Sequence, residues 1–268
     1  MRILFDIVHP AQVHFFKQAI WALQRRGDDV LVTARDKDIT LDLLKALRIE
    51  HVCLSAKGAS MAAMGVELFS RTLRLMNIVR RFKPDVMVAR VGHSIGITGK
   101  LLRIPTVVYD DMEHAKLQAA IGMTFATYIC TGLGYYRDFG RRQVRFQGPP
   151  VLSYLSPQHF SPDPEPLRRA GLDLAQTLIF FRTVSWGASH DLGRKGSSLT
   201  ELETAIEALL PYGRVIISAE ESLPPSLARY ANPVPVEYMH DLLAFCTVCM
   251  SSSLSIGFVR KPNAPLWV

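Results

Sequence analysis

Apolar residues recur along the first half of the chain in two alternating rhythms. Arg2-Ile3-Leu4-Phe5-Asp6-Ile7-Val8 is a short, nearly continuous apolar run, the mark of a strand buried on both faces. His9-Pro10-Ala11-Gln12 breaks it, and Val13, Phe16, Ile20 and Leu23 then repeat at helical spacing until Gly27 stops the helix. Val30–Thr33 is the next strand, Ile39–Leu47 a short helix and His51–Leu54 a third strand. A long helix over Met61–Phe82 ends before Pro84. Strands follow at Asp85–Ala89, Pro105–Tyr109, Tyr128–Thr131 and Val144–Phe146, with a helix over Gly92–Leu102. Alternation of this kind predicts right-handed βαβ units in an open, doubly wound parallel sheet. Such a sheet binds ligands at the carboxyl ends of its strands.

The rhythm stops at Gly148-Pro149-Pro150 and resumes after Ser161-Pro162-Asp163-Pro164, the densest proline region of the chain. The expected organisation is a first α/β domain over 1–150, a linker over 151–175 and a second α/β domain over 176–268. Strands are expected at Thr177–Arg182 and Val215–Ser218, and helices at Ser198–Leu210 and His240–Phe245. With about three strand candidates before a polar, proline-broken tail, the second domain reads as partial.

Composition narrows the class. The 268 residues suit one large or two medium domains, and 49% hydrophobic content suits sheets covered on both faces. No long apolar stretch reads as a membrane-spanning helix, and none is expected. No signal peptide is read at the start, and the expected compartment is the cytoplasm. Four cysteines, Cys53, Cys130, Cys246 and Cys249, form no disulfide framework. Cys246 and Cys249 have CxxC spacing without a second pair, and read as core rather than as a zinc site. The net charge of +7 gathers in Arg71, Arg74, Arg80, Arg81 and Lys83, and in Arg137, Arg141, Arg142 and Arg145. These are either solvated faces or a means of attracting phosphorylated substrates or an anionic membrane surface. No nucleic-acid-binding motif accompanies the charge.

Candidate chemistry sits after the strands. Asp6, His9 and His14 surround the first loop; a histidine near a helix N-terminus suits a neutral base or a hydrogen-bond donor. The alternative is that Asp6 caps the helix and both histidines are structural. Arg90-Val91-Gly92-His93-Ser94 opens the helix after the fourth strand, where backbone N–H groups suit an anion. Asp110 and Asp111, with His114, follow the fifth strand. Neighbouring strand residues point to opposite faces, which favours substrate hydrogen bonding over a shared metal ion. In the second domain Ser185, Trp186, Ser189, His190, Lys195 and Gly196 occupy the place of a phosphate-binding loop, and Glu220 follows the next strand. No metal site and no cofactor are expected. GxGxxG and Walker A patterns are absent.

Asp6-Ile7-Val8-His9-Pro10-Ala11-Gln12-Val13-His14-Phe15-Phe16-Lys17 resembles a family of archaeal and bacterial proteins of unknown function within the GT-B glycosyltransferase superfamily. Thr33-Ala34-Arg35-Asp36-Lys37, Arg182 to Gly196, Pro224-Pro225 and His240-Asp241-Leu242-Leu243 are similar to the same family. The resemblance implies two Rossmann-like domains, the first holding an acceptor and the second a UDP- or GDP-sugar donor. It also implies metal-independent catalysis, with lipid-A-disaccharide synthase and UDP-N-acetylglucosamine 2-epimerase as wider relatives. On that basis His9, His14 and Asp6 are the catalytic candidates. Arg90, His93, Ser94, Asp110, Asp111 and His114 would bind the acceptor, and Ser185, Trp186, Ser189, His190, Lys195, Gly196 and Glu220 the donor. The expected function is sugar transfer to a cell-envelope or lipid-linked acceptor, at the cytoplasmic side or peripheral to a membrane. The alternatives are a nucleotide-sugar epimerase and a non-catalytic remnant. The tail after Cys249-Met250-Ser251 departs from the family pattern, and a truncation or frameshift is the expectation there.

Overall fold

The seven strands of the first half form one parallel sheet, and a crossover helix follows each of the first four. In a computed structural model, which describes residues 1–56, 61–111, 122–183, 199–219, 222–251 and 258–259, the elements are β1 (Arg2–Ile7), α1 (Pro10–Arg25), β2 (Asp29–Asp36), α2 (Thr40–Ala46), β3 (Val52–Ala56), α3 (Met61–Phe82), β4 (Val86–Arg90), α4 (His93–Leu102), β5 (Thr106–Asp110), β6 (Tyr128–Gly132) and β7 (Gln143–Phe146). The spatial order is β3-β2-β1-β4-β5-β6-β7, every pairing parallel. The chain winds outward from β1 in one direction and from β4 in the other. The crevice at the carboxyl ends of β1 and β4 is therefore the topological switch point.

Alternate strand residues feed two layers. On one face Leu4, Met87, Ala89, Val108 and Ile129 pack with Leu75 and Val79 of α3 and Ile95 of α4. On the other, Phe5 meets Phe16 of α1 with ring centroids 5.3 Å apart, and Val13, Phe16 and Ile20 of that helix are buried. Two short helices follow in the proline-rich stretch, α5 (Leu152–Leu155) and α6 (Glu165–Arg169). Each is about one turn long, too short for a hydrophobic period to show in sequence.

The chain divides by its contacts into two units, Met1–Phe160 and Ser161–Val268. The second carries β8 (Leu178–Thr183), α7 (Leu199–Leu209), β9 (Arg214–Ala219), α8 (Met239–Phe245), β10 (Val248–Ser251) and the two-residue β11 (Phe258–Val259). Its order is β11-β10-β8-β9, with β8, β9 and β10 parallel and β11 antiparallel. The stretch after Cys246, read from sequence only as apolar core, supplies strand β10 as well. Cys246 is buried among Leu178, Phe180, Ile216 and Leu242, and Cys249 packs against the same cluster. Among the described residues no helix is long and apolar enough to cross a membrane.

One expectation about charge is corrected. Arg71 is neither on a solvated face nor available to attract a partner: it is 3% exposed. Its position on α3 shares the inward face with Leu75 and Val79. Its guanidinium pairs with Asp6 at 2.5 Å and also donates to Ala34 O at 3.2 Å and Ser55 Oγ at 3.1 Å. Ser55 in turn donates to Glu67 at 2.8 Å, and Glu67 pairs with Arg35. Asp6 also accepts from Thr33, its register partner across β1 and β2, at 2.7 Å. Arg142 and Arg145 remain exposed, and donate to the carbonyls of 123, 124 and 126 and of 133 and 135.

Removing one partner of a buried pair strands the other charge. Arg71→Met is therefore expected to lower unfolding free energy by about 3–5 kcal/mol in urea titrations. Asp6→Asn/Arg71→Met should cost less than the sum of the single changes. Additive losses would show that the two side chains do not depend on each other.

Candidate functional site

The residues placed at the switch point come from β1, α1, β4, β5 and α5. Helix α1 begins at Pro10, whose fixed φ suits the first helical turn. Its cap is His9, in extended conformation, with Nδ1 accepting from Ala11 N at 3.2 Å. The cap is thus the histidine and not Asp6. An Nδ1 that accepts a hydrogen bond leaves the ring proton on Nε2, so the exposed edge of neutral His9 presents a donor. Two residues into α1, buried Gln12 accepts from Val8 N at 2.8 Å and donates to Arg90 O at 3.4 Å. It therefore ties the carboxyl end of β1 to that of β4.

His14 lies half-buried on the next turn, its ring 5.7 Å from that of Tyr154 on α5. Helix α5 is held on α1 by Ser153 Oγ, which donates to Phe15 O at 3.3 Å. Arg90, the last residue of β4, pairs with Asp111 and lies over the Phe15 ring at 5.4 Å. Burial pushes the Tyr154 phenol above its ordinary range; the nearby Arg90 charge opposes this and the Asp111 charge adds to it. His14, Tyr154, Arg90 and Asp111 therefore form one cluster with a cation, an anion, an imidazole and a phenol.

The backbone beside the cluster is strained. Val91, φ +68°, and Gly92, φ +47°, are consecutive left-handed residues after β4. A β-branched residue there is unfavourable, and such conformations concentrate at functional loops. A Cβ on Gly92 would stand 2.6 Å from Val108 Cγ2, and one on Gly122 would stand 1.8 Å from Val91 O. Only glycines let these segments approach. The turn starts α4 at His93, half-buried, and Ser94, 3% exposed.

The sequence candidates are thus distributed unevenly. His9, His14, Arg90, Asp111, His93 and Ser94 share the carboxyl edge of the sheet at β1, β4 and β5. Asp6 lies beneath that edge in the buried pair with Arg71. Asp110 is also buried and accepts from the Tyr135 hydroxyl, while Asp111 turns to Arg90, so the two acids serve different partners. His114, Ser185, Trp186, Ser189, His190, Lys195, Gly196 and Glu220 lie outside the described residues. Among the described residues no group of three or more His, Cys, Asp or Glu is placed to hold a metal ion. Gln12 and Tyr154 were not anticipated. A buried glutamine in the first turn of a helix is a weak signal, and Tyr154 sits in a segment whose local sequence reads as linker.

A cavity of about 600 Å³ lies on the α1 face of the sheet, walled by Phe5, Phe15, Phe16, Val88, Tyr109 and Phe146. Phe15 belongs both to this apolar wall and to the Arg90 contact. Burial also raises the pKa of Tyr109, with Cys130 beside it on β6 adding to the shift.

Two α/β units, the first with an all-parallel sheet and the second with three parallel strands and one antiparallel, give a fold like that of the GT-B class, and solved structures share it. UDP-GlcNAc 2-epimerase from Neisseria meningitidis bound to UDP-GlcNAc superposes with a TM-score of 0.65 at 14% identity, over 95% of this chain and 78% of that one. The Methanocaldococcus jannaschii enzyme in complex with UDP-GlcNAc and UDP gives 0.65 at 12% identity, over 94% and 78%. Spinosyn rhamnosyltransferase complexed with thymidine diphosphate gives 0.53 at 15%, over 94% and 75%. Within that class the chain belongs to the family described as protein of unknown function DUF354, which matches residues 1–143. An uncharacterized protein of Methanocaldococcus jannaschii is 23% identical over 175 residues, 62% of this chain and 51% of the relative. The match thus spans about half the length of that relative.

The raised phenols of Tyr109 and Tyr154 have a sign for stability. A folded-state pKa above the unfolded value contributes stability that is complete below the unfolded pKa, here 10.0, and is lost as pH rises through the folded one. Unfolding free energy should therefore fall on the alkaline side of pH 10. Tyr109→Phe/Tyr154→Phe should flatten that fall in denaturant titrations across pH 9 to 11, and an unchanged slope would contradict the placement of both rings.

Proposed function

We propose that this protein is a nucleotide-sugar-dependent glycosyltransferase, the first unit holding an acceptor and the second a UDP- or GDP-sugar. The observation that carries the reading is the assembly of His14, Tyr154, Arg90 and Asp111 at the switch point of the first sheet. The similar structures support the donor class, since they are complexes with UDP-GlcNAc, UDP and thymidine diphosphate.

In the proposed reaction an acceptor hydroxyl attacks the anomeric carbon of the donor. The bond from that carbon to the diphosphate oxygen breaks, and its electron pair leaves with the nucleoside diphosphate. His14 takes the hydroxyl proton as general base. His9, with Nδ1 engaged at the helix cap, contributes an Nε2–H to the acceptor rather than a lone pair. Arg90, fixed by Asp111, holds an anionic or hydroxyl group of the acceptor, with Tyr154 beside it. Asp6 is a positioning residue, acting through Arg71 and Thr33. His93 and Ser94 line the same edge. Ser185, Trp186, Ser189, His190, Lys195, Gly196 and Glu220 are proposed for the donor diphosphate and sugar. The apolar cavity next to Phe15 favours an acceptor with a hydrocarbon portion, a cell-envelope or lipid-linked one.

A second reading is nucleotide-sugar epimerisation, favoured by the higher TM-scores of the epimerases, 0.65 against 0.53 for the rhamnosyltransferase. Calorimetry with UDP, GDP and their sugars separates the readings. Donor binding followed by nucleotide release only when acceptor is added supports transfer. A changed sugar without acceptor supports epimerisation, and no binding of any nucleotide overturns both. Under the transfer reading His14→Ala should lower kcat by about 10²–10⁴-fold while leaving nucleotide affinity unchanged.

A further inference from the structure

We propose that the outward face of α3 docks on an anionic phospholipid bilayer. The helix is apolar on two sides. Its inward side buries Leu75 and Val79 in the core and aims Arg71 and Glu67 into the buried network. Its outward side presents Val66, Phe69 and Leu73, which are 69%, 68% and 47% exposed. Their i, i+3, i+7 spacing lines them into one stripe, about 10 Å long at a helical rise of 1.5 Å per residue. Large apolar side chains grouped in this way on a surface mark an interaction site.

The charge along the helix selects the partner. Glu67 is the only carboxylate in α3, and it is turned inward to Arg35 and Ser55. The stripe continues through Arg80, about 10 Å further on, with Arg81 and Lys83 also exposed. Arg71 is neutralised by Asp6, and Arg74 donates to Leu54 O, so Arg80, Arg81 and Lys83 supply the outward cationic end. An apolar stripe beside cations suits a bilayer interface, where the apolar side chains enter the acyl boundary and the cations meet phosphate.

A second copy of the chain fits less well. Antiparallel pairing of two α3 helices centred on Leu73 would set Val66 of each against Arg80 of the other. It would also bring together two chains of net charge +7. Anionic lipid neutralises what a second copy would repel. Binding by this face needs no catalytic turnover.

The test is cosedimentation of the full chain with phosphatidylcholine vesicles, with and without phosphatidylglycerol. Binding is expected only with phosphatidylglycerol and should weaken with added salt. Phe69→Asp/Leu73→Asp should lower the partition coefficient at least about tenfold. Arg80→Gln and Arg81→Gln should each lower it about fivefold. All four positions are exposed, so circular dichroism should show the wild-type fold for every variant. Absence of binding, equal binding to both vesicle types, or wild-type binding by Phe69→Asp/Leu73→Asp overturns the proposal. So does a dimer in sedimentation velocity that Phe69→Asp dissolves, which would assign the stripe to a second copy.

Discussion

The buried pairing of Asp6 with Arg71 is the constraint on which the first unit depends. Neither ion has water to fall back on, so each must be satisfied by protein, and the satisfying groups come from four elements. Thr33 on β2 holds one Asp6 oxygen, while Ala34 O on β2 and Ser55 on β3 take the arginine. Helix α3 supplies Arg71 itself. The result is a crosslink just beneath the carboxyl edge of β1, β2 and β3. It sets the height at which β1 ends, hence where His9 caps α1 and where His14 emerges one turn later.

A second tie acts across the switch point. Gln12 joins Val8 to Arg90, so the end of β1 and the end of β4 are held in one geometry. Beyond Arg90 the chain reverses through two left-handed residues, close enough to Gly122 that a side chain there would collide with backbone. Polar ties and tight glycine contacts together make the edge a defined surface, onto which Tyr154 is delivered by a helix far along the chain. The same α3 that locks this edge from inside carries an apolar stripe outside, so fold integrity and surface chemistry share one helix.

Much of this was legible in the sequence, for local reasons. Buried parallel strands are short apolar runs and their crossover helices are amphipathic, so the alternation from Arg2 to Phe146 reads directly, and all seven strands of the first sheet were anticipated. His9, His14, Arg90 and Asp111 were legible as candidates because the carboxyl ends of such strands are where ligands bind. Other features were not legible. Arg71 looks like any arginine of a basic helix, and only its inward position among Leu75 and Val79 makes it structural. Tyr154 lies among prolines, in a helix of four residues that leaves no periodic trace. Asp6 reads as a loop acid until Arg71, sixty-five residues away, is seen against it.

The sequence by itself determined the α/β alternation, the parallel sheet and the edge at which chemistry gathers, because strand burial and helix amphipathicity are written in neighbouring residues. Tertiary structure decided which acids and bases are available. Asp6 and Asp110 are consumed by Arg71 and Tyr135, while Asp111 meets Arg90 and His14 meets Tyr154. The physical reason is that burial and pairing set the role of an ionisable group, and the partner that buries or pairs it is almost always distant in sequence.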